Sequence, residues 1–278
     1  MVTSFNVELR GQQEWAWLVA IDLFFGGLGG GLFLLFHHLT LSPAIGLLSL
    51  GLVTVGGLVL LAELGHPMRA WRAMAKPRTS WISRGMISVF LFIVLGFVYI
   101  APSVSFFSWL PWNPDGYGER AIGTVAAICA LLVTLYPGFV LSASPSIPFW
   151  NSPLLPILFF AQSLLGASAV VILFSPFPRL LSLAAVLIVV NLFLIAIHLW
   201  TLKHSGLAAK EAVRLLQCGS LGWIFNVGVV LIGMVFPLVV TLWMPSAVVL
   251  ASAFILVGSL LFRYCVLKAG VYVPFALV

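Results

Sequence analysis

The chain of 278 residues is 62% hydrophobic and only 7% charged, with a mean hydropathy of +1.19. Soluble domains carry about 25% charged residues, so this composition excludes an ordinary soluble fold and indicates a protein with several membrane spans. The net charge of +6 therefore indicates basic loops that meet lipid headgroups or a partner protein, and not nucleic acid.

The apolar runs predict eight membrane-spanning helices, because each is about 20 residues long, the length that crosses the hydrocarbon core. Prolines and polar clusters separate the runs. The predicted spans lie near residues 15–39, 43–65, 81–102, 120–143, 153–174, 179–202, 220–243 and 245–268. The expected fold is an all-α integral membrane protein with eight transmembrane helices. We expect two four-helix bundles, the first within residues 1–143 and the second within residues 144–278.

The Lys and Arg residues are distributed unequally between the two predicted faces of the membrane. An even number of spans places both termini on one face, which we call the terminal face. Eleven Lys and Arg residues lie there, and two, Arg120 and Arg179, lie on the other face. By the positive-inside rule this distribution predicts cytoplasmic termini in a prokaryotic inner membrane. A docking surface for a partner protein would also concentrate positive charge on one face.

The segment between the second and third predicted spans, residues 66–84, is the most basic part of the chain. Five of the 13 Lys and Arg residues lie in it, namely Arg69, Arg72, Lys76, Arg78 and Arg84. We expect this segment to dock a partner protein on the terminal face, since charge complementarity guides such encounters. The alternative is that these residues only fix the orientation of the neighbouring spans.

Ionisable side chains inside membrane spans are costly, and each is a candidate for function. Asp22 lies in the first predicted span, about 10 Å along the helix from Trp15. Glu63 lies near the end of the second span, and Tyr136 lies near the end of the fourth. These three residues and His66 all lie toward the terminal face, where titratable groups could exchange protons with a ligand. The alternatives are a helix-to-helix hydrogen bond for Asp22, pairing with a loop arginine for Glu63, and an interfacial tyrosine belt for Tyr136.

The first predicted span contains five glycines within residues 26–31. Gly26 and Gly30 are four residues apart, as are Gly27 and Gly31, and this spacing lets two helices approach closely. Helix packing explains the pattern as well as a cofactor lying on the glycine surface does. In the second case Gly27 and Gly30 are the expected cofactor-binding residues.

Other cofactors and activities are less well supported by the sequence. The three cysteines are scattered and lack C-x-x-C spacing, so no metal is expected in this chain. A haem would need His198 together with His66 or His204, and the last two lie in predicted loops. A secondary transporter with Asp22 as a coupling-ion or proton site is the main alternative, although the second half lacks a matching carboxylate. A purely structural membrane anchor is a third possibility.

Several blocks of residues together resemble the polysulfide reductase membrane-subunit family, also called NrfD-like. One block is the glycine-rich first span. The others are Leu64-Gly65-His66-Pro67 with Arg69-Ala70-Trp71-Arg72, Lys76-Pro77-Arg78-Thr79-Ser80-Trp81, Tyr136-Pro137-Gly138-Phe139-Val140-Leu141-Ser142, Pro148-Phe149-Trp150-Asn151-Ser152-Pro153, and Arg263-Tyr264 with Lys268-Ala269-Gly270. The resemblance covers nearly the whole chain. One departure is His66, which stands where the family commonly has arginine.

The resemblance implies a quinone-reactive membrane subunit of an oxidoreductase complex used in anaerobic respiration. Electrons would pass between menaquinone or ubiquinone and a peripheral, ferredoxin-like iron–sulfur subunit that serves a catalytic subunit, which in the family's pattern is of molybdopterin type. No cofactor is expected to be covalently bound, and iron–sulfur clusters and molybdopterin are expected only in partner subunits.

The quinone site implied by the resemblance lies in the first bundle, near the terminal face. Asp22 is expected to accept or donate a proton, and Tyr136 is expected to orient the quinone. From its own chemistry, His66 is expected to pass protons to water, a role that histidine side chains commonly have. Glu63 and Arg69 are expected to contact the cofactor as well.

Overall fold

The computed structural model describes residues 9–64, 66–107 and 116–273, without the side chains of Glu63, Pro67 and Pro245. Within these ranges, eight helices are long and apolar enough to cross a membrane. The described residues form helices and loops with one isolated β-bridge, between Gly11 and Val271. The predicted all-α membrane fold with eight spans is therefore confirmed.

The spans lie close to their predicted positions. Seven of them are the helices α1 (Trp17–Leu39), α2 (Pro43–Glu63), α3 (Trp81–Ile100), α4 (Tyr117–Ser142), α5 (Leu154–Phe174), α6 (Pro178–Lys203) and α9 (Val248–Lys268). The seventh span along the chain begins as a π-helix, Ile224–Val235, and continues as α8 (Phe236–Trp243).

Helix α7 (Leu207–Gln217) was not predicted from the sequence. Ala208, Ala212 and Leu216 are buried along one side of it, whereas Lys210 and Arg214 are exposed on the other side. Eleven residues are too few to cross a membrane. The amphipathic pattern is typical of a helix that lies along the membrane boundary.

Local capping interactions start the helices on either side of the basic segment. Ser42 caps α2 by accepting a backbone amide hydrogen bond, and Pro43 occupies the first helical position. Ser80 caps α3 in the same way, by accepting a hydrogen bond from the Ser83 amide. Between α2 and α3 the basic segment itself forms a 3₁₀ helix, Pro67–Met74.

Helices α1 and α5 form the centre of the molecule and are the two most buried of the eight spans. Helix α1 packs against α2, α4, α5 and α9, and α5 packs against α1, α4, α6 and α9. Helix α1 therefore contacts helices from both halves of the chain. The division into two bundles at residue 143 stays a prediction.

The two described ends of the chain meet at one end of the spans. Gly11 and Val271 form an antiparallel bridge there. The indole nitrogen of Trp150, just before α5, donates a hydrogen bond of 2.8 Å to the carbonyl oxygen of Val266 in α9. This end is the terminal face, and the starts of α1, α3 and α5 lie on it with the ends of α2, α4, α6 and α9.

Candidate functional site

Asp22 lies in the second turn of α1 and is buried, with 7% of its surface exposed. Its side chain lies against α2 at Gly56. A methyl group built on Gly56 would stand 3.3 Å from the carboxylate Oδ1 of Asp22 and 3.1 Å from its carbonyl oxygen. Because a carboxyl group inside a membrane span is costly, its position near the terminal face marks a candidate site.

Tyr136 lies on α4, and its ring lies flat against α3 at Gly85. A methyl group on Gly85 would overlap this ring, with Cε2 only 2.6 Å away. Asp22 lies within electrostatic range of the Tyr136 hydroxyl. The structure therefore brings these two predicted site residues together, although they lie on different helices more than 100 residues apart in the sequence.

The start of α3 is held both by α4 and by the basic segment. The rings of Trp81 and Phe139 stack with their centroids 4.4 Å apart and their planes 10° apart. The guanidinium carbon of Arg84 lies 4.4 Å from the centroid of the Trp81 ring. Arg84 also donates hydrogen bonds of 2.8 Å to the carbonyl oxygens of Pro77 and Arg78. The basic segment and the Tyr136 contact therefore share one turn of α3.

The basic segment presents its charges on the terminal face. The five predicted docking residues Arg69, Arg72, Lys76, Arg78 and Arg84 are all exposed. Met68 is 90% exposed and Trp71 is 66% exposed among them. Methionine, tryptophan and arginine are the residue types enriched in protein interfaces, so this composition is suited to docking a protein.

Gly27 and Gly30 pack against neighbouring helices. A methyl group on Gly27 would stand 2.6 Å from Nη2 of Arg263, and one on Gly30 would stand 2.9 Å from the carbonyl oxygen of Ala130. Both glycines therefore allow close helix contact, which favours the packing explanation of the glycine pattern. A cofactor-binding role for them stays a prediction.

Two other glycines leave open space beside Asp22. Gly26 follows Asp22 by one turn on α1, and Gly57 follows Gly56 on α2. A methyl group on either would have no neighbouring heavy atom within 4 Å. Both glycines therefore face open space outside the packed helices.

Arg263 is a buried charge that the count of basic residues assigned to the terminal face. The structure places it inside α9 with 1% of its surface exposed. Its guanidinium donates hydrogen bonds to the carbonyl oxygens of Leu23 (2.9 Å) and Ser259 (3.0 Å) and to the hydroxyl of Ser163 (3.1 Å). Arg263 therefore connects α1, α5 and α9, and its acceptor on α1, Leu23, is the residue that follows Asp22. An arginine within an apolar run was the sequence signal for it.

The remaining predicted site residues lie at the membrane boundary. His66 and Arg69 are exposed, and His66 directly precedes the 3₁₀ helix. The side chain of Glu63 lies outside the described residues. Contact of Glu63 and Arg69 with a cofactor, and proton transfer by His66, stay predictions.

His198 is the histidine considered for haem, and it is buried in the second half of the chain. Its ring packs edge-on against Phe149, with the centroids 5.2 Å apart. It lines a small cavity whose other described lining residues are Phe149, Leu158, Ile195, Leu199, Leu216, Phe225, Phe262, Cys265 and Val266. None of these is a second histidine, and His204 is exposed. The arrangement of two facing histidines does not occur around this cavity.

Comparison with known proteins connects this architecture to a family. The family model described as polysulphide reductase, NrfD, matches residues 6–275. Protein NrfD of Escherichia coli (strain K12) is 26% identical over 92% of this chain and 94% of its own length. A polysulfide reductase chain of Wolinella succinogenes is 24% identical over 98% of this chain and 96% of its own length.

A third relative matches a smaller part of the chain. A sulfite dehydrogenase subunit of Allochromatium vinosum is 29% identical over 40% of this chain and 36% of its own length. The family match, by contrast, covers nearly every residue from the start of the chain to its end. With its eight spans, the chain belongs to the NrfD polysulphide reductase family.

Proposed function

We propose that this chain is the membrane subunit of a respiratory oxidoreductase complex. In this proposal it exchanges electrons and protons between the quinone pool and a peripheral iron–sulfur subunit, which serves a catalytic subunit of molybdopterin type. Two of its relatives are named as parts of a polysulfide reductase and of a sulfite dehydrogenase. The observation that carries the proposal is the buried carboxyl group of Asp22 near the terminal face, with the half-buried Tyr136 within its electrostatic range.

The surroundings of Asp22 fit a quinone head group. Such a head group is flat and apolar apart from two ring oxygens, and each oxygen needs a hydrogen-bonding or protonating partner. Asp22 and Tyr136 provide two polar groups among apolar helices, which is typical of small-molecule sites. Gly26 and Gly57 face open space on α1, which carries Asp22, and on α2, which contacts it. These features support quinone binding on the α1–α2 side of Asp22.

The chain's own residues would handle protons and orientation. A bound quinol supplies two electrons and two protons, and a bound quinone accepts them. The Asp22 carboxyl group takes up or delivers a proton at one ring oxygen. The Tyr136 hydroxyl donates a hydrogen bond to a ring oxygen of the quinone and thereby orients the quinone ring. His66, exposed on the terminal face, passes protons between this site and water.

The basic segment 66–84 is the docking surface that we propose for the iron–sulfur subunit. Its exposed arginines attract an acidic partner surface, and the exposed Met68 and Trp71 provide apolar contact. The segment leads directly into α3, the helix on which the Tyr136 ring lies. Electrons would therefore cross between the subunits close to the Asp22 site.

Purification of the native complex tests the proposal. In mild detergent, we expect the chain to carry with it a stoichiometric iron–sulfur protein and an extractable menaquinone or ubiquinone, both identified by mass spectrometry. A chain that purifies alone and without quinone would contradict the proposal. Uptake of a labelled solute by proteoliposomes holding this chain alone would then favour the transporter alternative.

Neutralising the docking surface tests the partner assignment. Replacing Arg69, Arg72 and Arg78 together by Gln is expected to weaken binding of the iron–sulfur subunit about tenfold or more, measured by pull-down. The matched control replaces Lys203, Lys210 and Arg214 by Gln, which removes the same charge from the same face. Equal weakening by both triple variants would show that only net charge matters and would contradict docking at segment 66–84.

A further inference from the structure

The contact between Gly85 and Tyr136 is the closest of its kind in the described part of the molecule. Among the glycines in the described ranges, Gly85 is the one whose added methyl group would approach a neighbouring atom most closely, and that atom belongs to the Tyr136 ring. The ring therefore occupies the space that any other residue at position 85 would need for its side chain.

The backbone gives no reason for glycine at position 85. No described glycine has a positive φ angle, so the backbone of Gly85 would accept alanine. Position 85 lies in the second turn of α3, where glycine destabilises a helix relative to alanine. Packing explains a glycine in such a place, because the atoms that an added methyl group would meet belong to Tyr136.

The turn of α3 that carries Gly85 is fixed from two sides. One turn earlier, Trp81 stacks on Phe139, which lies three residues after Tyr136 on α4. Arg84, next to Gly85, lies over Trp81 and is hydrogen-bonded to backbone carbonyls of the basic segment. These contacts fix the distance between α3 and α4, and the rotation of each helix about its axis, at the place where the tyrosine ring lies between them.

We propose that Gly85 is the positioning residue for Tyr136: its missing side chain lets the ring lie on α3, and this contact fixes the position of the Tyr136 hydroxyl. This inference rests on the proposed function, because it concerns the hydroxyl that orients the quinone. A side chain at position 85 pushes against the ring carbons nearest α4 and displaces the hydroxyl at the far end of the ring. Misplacement of a positioning group by about 1 Å can cost about 100-fold in rate.

A double-variant experiment separates this role from simple packing. In the purified complex, electron transfer from a short-chain quinol to the iron–sulfur clusters of the partner is followed by visible absorption. Gly85→Ala is expected to lower kcat about tenfold to 100-fold in the chain that has Tyr136. In the Tyr136→Phe chain, which lacks the hydroxyl already, Gly85→Ala is expected to change kcat less than about twofold.

The phenylalanine background is informative because its ring carbons are the same as those of tyrosine. The steric effect of Gly85→Ala on folding is therefore the same in both backgrounds, and the two melting temperatures should fall equally. Only the activity should differ between them. As a control, Gly51→Ala places a methyl group on an exposed helical position with no neighbouring atom within 4 Å, and it should leave kcat unchanged.

The outcomes distinguish this inference from the proposed function. Equal falls of kcat in both backgrounds would overturn the positioning role, while a loss of activity in Tyr136→Phe alone would leave the proposed function standing. If Tyr136→Phe alone had no effect, the role of Tyr136 and the role of Gly85 would both be wrong.

A second variant covers the case in which Gly85→Ala prevents assembly of the complex. Combining Gly85→Ala with Tyr136→Leu replaces the ring by a smaller side chain, so that the added methyl group has room. Assembly should recover in the double variant, measured by co-purification of the partner, without recovery of electron transfer. Failure to recover assembly would show that the ring is not what excludes a side chain at position 85, and would overturn the inference.

Discussion

The two ends of the first four spans share one packing arrangement and differ in their chemistry. At the terminal face, Tyr136 of α4 lies on Gly85 of α3 and close to Asp22 of α1. At the opposite end the tyrosine is on α3 and the glycine is on α4. There Tyr99 lies on Gly123, where an added methyl group would stand 2.6 Å from the tyrosine ring. At both ends a titratable side chain of α1 faces the tyrosine.

The residue that faces Tyr99 is His37, and its Nδ1 lies 3.3 Å from the tyrosine hydroxyl. The ring of Phe33 lies parallel to the His37 ring, with the planes 5° apart. Glu119, at the start of α4, lies within electrostatic range of the Tyr99 hydroxyl. At this end the ring of Phe33 packs against the His37 side chain, whereas one turn from Asp22 the helix faces open space at Gly26.

This difference shows what the tyrosine–glycine contact does and what it does not do. The contact fixes the approach of α3 and α4 at both ends, so by itself it does not indicate a ligand. The carboxyl group, the open space next to it and the nearby basic segment distinguish the terminal face. Asp22 and His37 are about 22 Å apart along α1, so substitutions can address each end separately.

The largest expected effect comes from the α1 residue at each end. Asp22→Asn keeps the shape of the side chain but removes its exchangeable proton, and general acid–base groups contribute about 100-fold or more to rate. We expect kcat for quinol oxidation by the complex to fall by about that factor. His37→Gln, the matched change at the opposite end, should alter kcat less than about twofold. Similar losses of kcat in both variants would contradict the proposal that only the terminal face takes part in the reaction.

An intermediate effect is expected from Gly123→Ala. The added methyl group overlaps the Tyr99 ring and should lower the free energy of unfolding by about 1–3 kcal/mol, the usual effect of overpacking. Thermal unfolding in detergent measures it. Electron transfer from quinol per assembled complex should stay unchanged, in contrast to Gly85→Ala. A fall in kcat without a fall in stability would instead connect the opposite end to the reaction.

The smallest effect is expected from Tyr99→Phe, which removes the hydroxyl that meets His37. One hydrogen bond contributes about 1 kcal/mol to stability, so the melting temperature should fall by only a few degrees, and quinol oxidation should not change. Tyr136→Phe is the comparison variant at the terminal face. If the two variants lowered kcat equally, the hydroxyl of Tyr99 would belong to the reaction after all.

The spans and the depth of the site follow from the sequence, but the side-by-side contacts do not. Runs of about 20 apolar residues define spans because the membrane fixes their length. The same counting places Asp22 and Tyr136 at one depth. Whether they face each other depends on the rotation of α1 and α4 about their axes, which contacts between distant parts of the chain determine. The contact of the Tyr136 ring with Gly85 also depends on these helix rotations, so the sequence does not predict it.

Other features were missed or left open for identifiable reasons. The spacing of Gly27 and Gly30 predicts a close approach but does not say whether protein or cofactor fills the space. Arg263 near the end of an apolar run was counted as a boundary charge, whereas three oxygen acceptors from distant residues and its own helix keep it buried. Helix α7 is shorter than the length used to recognise spans.

The hydrogen bond from Arg263 to the carbonyl oxygen of Leu23 has a consequence for how the protein is made. It joins residues 240 positions apart, so α1 acquires this hydrogen-bond partner only when α9 has been synthesised. The carbonyl oxygen of Leu23, next to Asp22, therefore lacks this donor until α9 is inserted. A chain truncated before α9 would keep the basic segment but lack the hydrogen bonds of Arg263 to α1 and α5.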